Sequence, residues 1–194
     1  MKRFFFTVIS FFLLSGFFAE NPAVASHSYK TVLRRWTRSD TVYIPRDFNV
    51  PILWHAVWLR DEVLEAQAAQ YAKVYRLGEK EEQKVLSDLR DKKGGENLYF
   101  VSFYSSVKET DDLTNPRANW DLRLKVGNEI FLPTRMEKIN KPTLLQKVFY
   151  PFLHPWAKGY YVWFAPESAG GSARRMLTLY GPEAHSKLVW RSKR

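Results

Sequence analysis

The chain has no cysteine. That excludes disulfides, thiolate metal sites, cysteine nucleophiles and thiol redox chemistry. Histidine is nearly as scarce, with His27, His55, His154 and His185 the full set. No two of these stand at metal-ligand spacing, and a zinc site needs three or four protein ligands, so no metal site is expected. His55 reads as a satisfied residue of an apolar strand, and His154, between Leu153 and Pro155, as a turn residue. No serine sits in a G-x-S-x-G context, and there is no Asp-x-Asp-x-Asp-Gly calcium loop. Gly170-Gly171-Ser172, ahead of Arg174-Arg175, lacks the spacing of a phosphate loop. No cofactor motif, catalytic constellation, internal repeat or low-complexity tract is read.

What is present begins with an export pattern. Met1-Lys2-Arg3 is a basic start, and Phe4–Ala19 is almost wholly apolar. Asn21-Pro22 breaks a helix, and Ala23-Val24-Ala25 offers the small residues that a signal peptidase reads. The apolar run has 16 residues, short of the ~20 of a spanning helix. A signal peptide over 1–25 is therefore expected, with a periplasmic or secreted bacterial mature chain and no transmembrane span after cleavage. Ser26–Lys30 reads as a loose mature N-terminus. The formal net charge of +10 falls by one when Lys2, Arg3 and Glu20 leave. The remaining 26–194 suit a single domain that buries roughly two-thirds of its unfolded surface.

Asn97–Tyr104, NLYFVSFY, carries no charge, proline or glycine and is rich in aromatic and β-branched residues, which predicts a strand buried on both faces. Thr31–Ile44 suits a helix in its first half and a strand in its second. Phe48–Leu59 reads as a strand with Pro51 near its start or at an edge. Between them and Asn97, Arg60–Lys93 has helical periodicity. Asp61 is placed to cap it, Gly78 to bend it and Gly94-Gly95 to stop it. Trp120, Leu122, Leu124 and Val126 alternate with charged residues, predicting a half-wet strand. Gly127-Asn128 is a hairpin turn, and the return strand from Glu129 is limited by Pro133. Leu144, Leu145 and Val148 make a helical turn or two. Tyr160–Phe164, Arg175–Tyr180 and Ser186–Trp190 are further strands.

Seven or eight short strands with regular turn signals predict a mainly β chain: an antiparallel immunoglobulin-like β-sandwich with a helical insertion at about 60–93. The insertion and the proline-rich segment are expected to cover an edge or open end. The layout resembles a widespread family of uncharacterised bacterial exported proteins with an immunoglobulin-like core. The residues carrying the resemblance are Trp36-Thr37-Arg38, Phe100–Tyr104, Asp112-Leu113, Trp120–Leu124 with Pro133, Phe149–Phe152 with Trp156, and Tyr160–Phe164. The resemblance implies a fold and an envelope address, and no activity.

Two candidate binding surfaces follow. Arg34, Arg35 and Arg38 flank Trp36, and Arg174, Arg175 and Arg191–Arg194 add charge. Guanidinium groups suit carboxylate or phosphate, and an aromatic neighbour can stack on them. In an envelope the anions are lipid headgroups, lipopolysaccharide phosphates and acidic proteins; export argues against nucleic acid. The second surface is the aromatic segment holding Tyr150, Phe152 and Trp156, most of it expected in the core but a site for a protein partner where exposed. The expected function is a non-catalytic envelope protein that binds a partner or joins an assembly. The alternatives are a binder of anionic envelope components and a hydrolase using Asp111, Asp112 or Asp121 with His154. The hydrolase requires those groups to converge.

Overall fold

The computed structural model describes residues 28–44, 49–167, 173–182 and 184–191. The expected signal segment, His27, the Gly170-Gly171-Ser172 loop and residues 192–194 lie outside the described residues.

The chain is mainly β, with two antiparallel sheets and a few helices. In order the elements are α1 (Tyr29–Trp36), β1 (Thr37–Ile44), β2 (Asn49–Trp58), α2 (Asp61–Tyr75), α3 (Glu79–Lys93), β3 (Asn97–Ser105), β4 (Asp121–Val126), β5 (Glu129–Phe131), β6 (Pro133–Ile139), α4 (Leu144–Phe149), β7 (Lys158–Phe164), β8 (Arg175–Tyr180) and β9 (His185–Trp190). One sheet runs β1-β2-β3-β7-β6 and the other β5-β4-β8-β9.

The expected doubly buried strand is β3, at the centre of the five-stranded sheet. Its two faces serve two cores. Tyr99, Val101 and Phe103 join Trp54, Val162, Leu124, Leu177 and Trp190 in a cluster drawn from both sheets. Leu98 and Phe100 point the other way and pack with Val57 and Trp163 against all four helices. Period-two alternation explains the split, because successive side chains leave opposite faces of a strand.

The helices therefore cover a face of the five-stranded sheet, where an edge or open end was expected. The reason is that β2, β3 and β7 are apolar on both sides, so the outer face needs a cover as much as the inner one. The N-terminus is also firmer than expected. Tyr29 is buried, and its hydroxyl donates to the Phe149 carbonyl at 2.8 Å.

The helical hairpin follows its reading closely. Gly78 separates α2 from α3, and Gly94, at φ 62°, ends α3 in the left-handed conformation that glycine adopts without strain. The N-cap of α2 is Arg60, with Asp61 one position inside the helix. Pro51 lies beside a register shift between β1 and β2, where a ladder tolerates a missing N–H. A larger correction concerns Pro133. It does not merely close β5; it opens β6, and across Leu132 the chain passes from one sheet to the other. A proline at the first residue of an edge strand loses no ladder bond.

Candidate functional site

On the helix-covered face, α2, α3, α4 and β7 enclose a cleft of about 360 Å³. α2 supplies Gln67 and Tyr71, one helical turn apart on the same face. α3 supplies Val85, Leu89 and Lys92, spaced to line one stripe, and Asp88 beside them. Ion pairs Arg90–Glu65 (2.9 Å) and Lys93–Asp61 (2.8 Å) bind the two helices along their length. α4 supplies Leu145, Gln146 and Phe149. It is only six residues long and is nucleated by a capping box, in which Thr143 accepts from the Gln146 backbone and the Gln146 side chain accepts from the Thr143 backbone.

The inner wall is polar at two points. Gln67 is 7% exposed and Tyr150 1%, and Gln67 Oε1 and the Tyr150 hydroxyl are both shut away from solvent. The Tyr150 hydroxyl lies beside Gln67 and the Tyr161 hydroxyl without closing a well-formed bond to either. Burial pushes the Tyr150 phenol well above its ordinary pKa, with Tyr161 and Tyr29 adding to the rise, so it stays a neutral O–H. Its ring is fixed by parallel stacking on Phe100 at 3.6 Å. At the mouth, Lys92 Nζ sits 3.4 Å above the Tyr161 ring. Burial lowers its pKa, with Glu137 opposing and Arg135 assisting. The Trp163 indole anchors that turn of α3 by donating to the Lys92 carbonyl at 3.0 Å.

The surroundings are apolar and exposed. Leu144 (82% exposed) and Val148 stand one turn apart on α4. Across the cleft, Tyr75 packs on Tyr71 at 4.6 Å at the end of α2.

Comparison with known proteins places no relative beside this chain. No protein-family model, curated protein or solved structure matches it.

The residues singled out from sequence do not form one site. Arg34 and Arg174 are exposed. Arg35 pairs with Glu62 at 2.6 Å, and the Trp36 indole donates to the same carboxylate at 2.9 Å. Arg38 donates to the Val189 carbonyl at 2.9 Å, bridging β1 to β9. Arg175 is a correction: it is 1% exposed, paired with Glu167 and stacked 4.0 Å over Trp58. Strand alternation accounts for this, because Arg175 shares its face with the core residues Leu177 and Leu179. Tyr150 is likewise core and cannot meet a partner at the surface. Phe152 is half-buried against His55 (5.0 Å). Trp156 is 58% exposed and stacks on His154 at 4.9 Å.

The carboxylates and His154 do not converge. Asp111 pairs with Lys158. Asp112 accepts from Lys138, from the Thr114 backbone and hydroxyl, and from the Tyr160 hydroxyl, whose ring belongs to the core between the sheets. Asp121 pairs with Arg123. His154 lies on the opposite, helix-covered side, close enough to His55 to depress its pKa alongside the larger effect of burial. Among the described residues no group of three or more His, Asp or Glu is arranged to hold a metal, and no helix is long and apolar enough to cross a membrane.

Sequence reasoning missed Gln67, Lys92 and Arg60. Gln67 had a signal: it falls on the stripe of Val63, Leu64 and Ala68, so a polar residue was facing inward. Arg60 had none. It lies over Trp36 (4.4 Å) and Trp58 (5.2 Å), a meeting that only the fold produces.

Proposed function

We propose that the chain is a non-catalytic exported envelope protein that works by binding, with an immunoglobulin-like sandwich as platform and the helix-covered face as recognition surface. One observation carries the reading: a cleft of small-molecule size, lined mainly by the apolar and aromatic side chains of Tyr71, Val85, Leu89, Leu145 and Phe149 with Gln67, Asp88 and Lys92 among them. The exposed Leu144 and Val148 beside it add apolar surface for an approaching ligand. The apolar start of the chain supports the envelope address.

The test is binding of an environment-sensitive apolar dye. Fluorescence should rise on titration, and Leu145→Lys, which puts a charge at the cleft mouth, should abolish the rise with thermal unfolding unchanged. Dye binding that survives this substitution places the recognition surface elsewhere.

A second reading, binding of anionic envelope components, draws support from Arg60. Its guanidinium rests on two tryptophans and forms no ion pair among the described residues, beside a polar recess of about 260 Å³ in which Lys93 and Arg175 are already paired with Asp61 and Glu167 and Glu96 adds a further carboxylate. Binding to vesicles of anionic lipid that falls with salt and with Arg60→Gln supports it; salt-independent binding removes it.

A further inference from the structure

We infer that the recess beside Arg60 takes a small zwitterion, a guest that carries a primary ammonium group and an acid group a few bonds apart. The inference takes up the recess of the second reading and goes beyond it, because the guest it assigns is neutral overall.

Charge pairing carries it. Six ionic side chains line the recess: Arg60, Lys93 and Arg175 against Asp61, Glu96 and Glu167. Four of them are spent on each other, Lys93 on Asp61 at 2.8 Å and Arg175 on Glu167, which the Asn97 amide also holds. One cation and one carboxylate are left over. Arg60 forms no ion pair among the described residues. Glu96 accepts from the Thr134 hydroxyl and meets no cation among the described residues.

The fold fixes both groups without letting them meet. Arg60 is the N-cap of α2, and its guanidinium lies over Trp36 at 4.4 Å and Trp58 at 5.2 Å. A planar guanidinium held on rings has already given up much of the freedom that binding removes. Glu96 follows the glycine stop of α3, and its N–H donates to the Lys93 carbonyl at 3.2 Å. The Lys93–Asp61 pair ties the turn before Glu96 to the residue after Arg60. Both Arg60 and Glu96 are partly exposed, so a guest in the recess reaches them.

The same balance disfavours simpler guests. A plain anion gains Arg60 but sits among three carboxylates, and a plain cation gains Glu96 but sits among three basic groups. A zwitterion completes both pairs and leaves the recess neutral. Its acid group suits the forked guanidinium, and its ammonium supplies donors to Glu96. A volume of about 260 Å³ suits a guest of few heavy atoms. A free amino acid and the phosphoethanolamine headgroup of a lipid both offer this chemistry.

The experiment is calorimetric titration at low ionic strength with alanine, glycerophosphoethanolamine, propionate and ethylammonium. At least one of the two zwitterions should bind roughly tenfold or more tighter than propionate and ethylammonium, the yield of one further charged hydrogen bond. Arg60→Gln should bring that zwitterion down to the level of ethylammonium, and Glu96→Gln to the level of propionate, each with the melting temperature unchanged. Co-sedimentation with phosphatidylcholine vesicles only when they contain phosphatidylethanolamine marks the guest as a lipid headgroup; its absence marks a free solute. Propionate that binds as tightly as the zwitterions overturns the inference and leaves the anionic reading standing. Ethylammonium that does so, or zwitterion binding unchanged in both variants, overturns it as well. If no probe binds, the recess is no site and both readings of it fall.

Discussion

The indole N–H of Trp54 donates to the Ser186 hydroxyl at 2.8 Å, a buried bond between β2 of one sheet and β9 of the other. Ser186 passes the chain on by donating to Asp40 on β1. The Trp190 indole repeats the device by donating to the Trp36 carbonyl at 2.7 Å. Together with Arg38, these bonds hold the β1 and β9 edges side by side without a backbone ladder between them.

Ser186→Ala is expected to cost about 1–3 kcal/mol, because it leaves the Trp54 N–H buried without an acceptor. Adding Trp54→Phe removes the stranded donor, so the double variant should lose less than the sum of the two single losses. Denaturant midpoints of all four forms give the coupling. Strict additivity would show that the bond does not hold the sheets together.

Two buried tyrosines make a matched pair. Tyr29→Phe removes a hydroxyl bonded to the Phe149 carbonyl and should cost about 0.5–1.5 kcal/mol. Tyr150→Phe removes a hydroxyl that closes no well-formed bond to Gln67 or Tyr161 beside it and should cost less than Tyr29→Phe. Thermal or denaturant unfolding decides it, and a comparable loss in both variants would mean that Tyr150 is bonded in solution.

Asp112 makes stability depend on acid. Burial alone pushes its carboxyl up, but the hydrogen bonds from Lys138, Thr114 and Tyr160 outweigh it and hold the pKa well below the usual carboxylate range. Between the folded and unfolded values the unfolded chain binds the extra proton. The stabilisation is thus complete above about pH 4 and drains away as pH falls below that. Asp112→Asn should be less stable than the natural chain at pH 7, with the gap narrowing toward pH 2. Unfolding curves at pH 7, 4 and 3 follow it, and a gap that stays constant refutes the assignment.

Gly181→Ala should destabilise by about 1–3 kcal/mol through overpacking. A Cβ there would lie 1.8 Å from the Trp120 ring, far inside contact distance. The ring is not free to retreat, since its indole donates to the Thr110 carbonyl and it packs edge-to-face with Phe103 at 5.2 Å. A lowered melting temperature with changed Trp120 fluorescence would confirm the contact, and an unchanged melting temperature would rule it out.

Elements whose pattern was strong were legible beforehand. β3 had composition, β4 had alternation, the Gly127 hairpin had its turn residues, and α3 had charged ends and a glycine stop. β6 was not: Pro-Thr-Arg-Met-Glu-Lys-Ile neither alternates nor concentrates β-branched residues, because a charged edge strand guards against pairing instead of building a core. Nothing local to Gly181 announced Trp120 lying against it. The site was the least legible. Its walls come from three helices and a strand far apart in the chain, and the arginines that drew attention are mostly engaged within the fold. Arg175 shows the trap: a basic pair suggests a surface, while the strand it begins places its second member inside.

The position of β3 carries a cost while the chain is being synthesised. Its sequence is uncharged and strongly β-forming, the kind of segment that pairs readily with copies of itself. In the folded chain both of its edges are taken, one by β2 and the other by β7. The first is available almost at once, since β2 and the α2–α3 hairpin immediately precede it. The second emerges only after β4, β5, β6 and α4 have been made. Over that interval the most adhesive strand of the protein has one bare edge. Chain that stalls between Ser105 and Lys158 should therefore be the form that aggregates or requires a chaperone's protection.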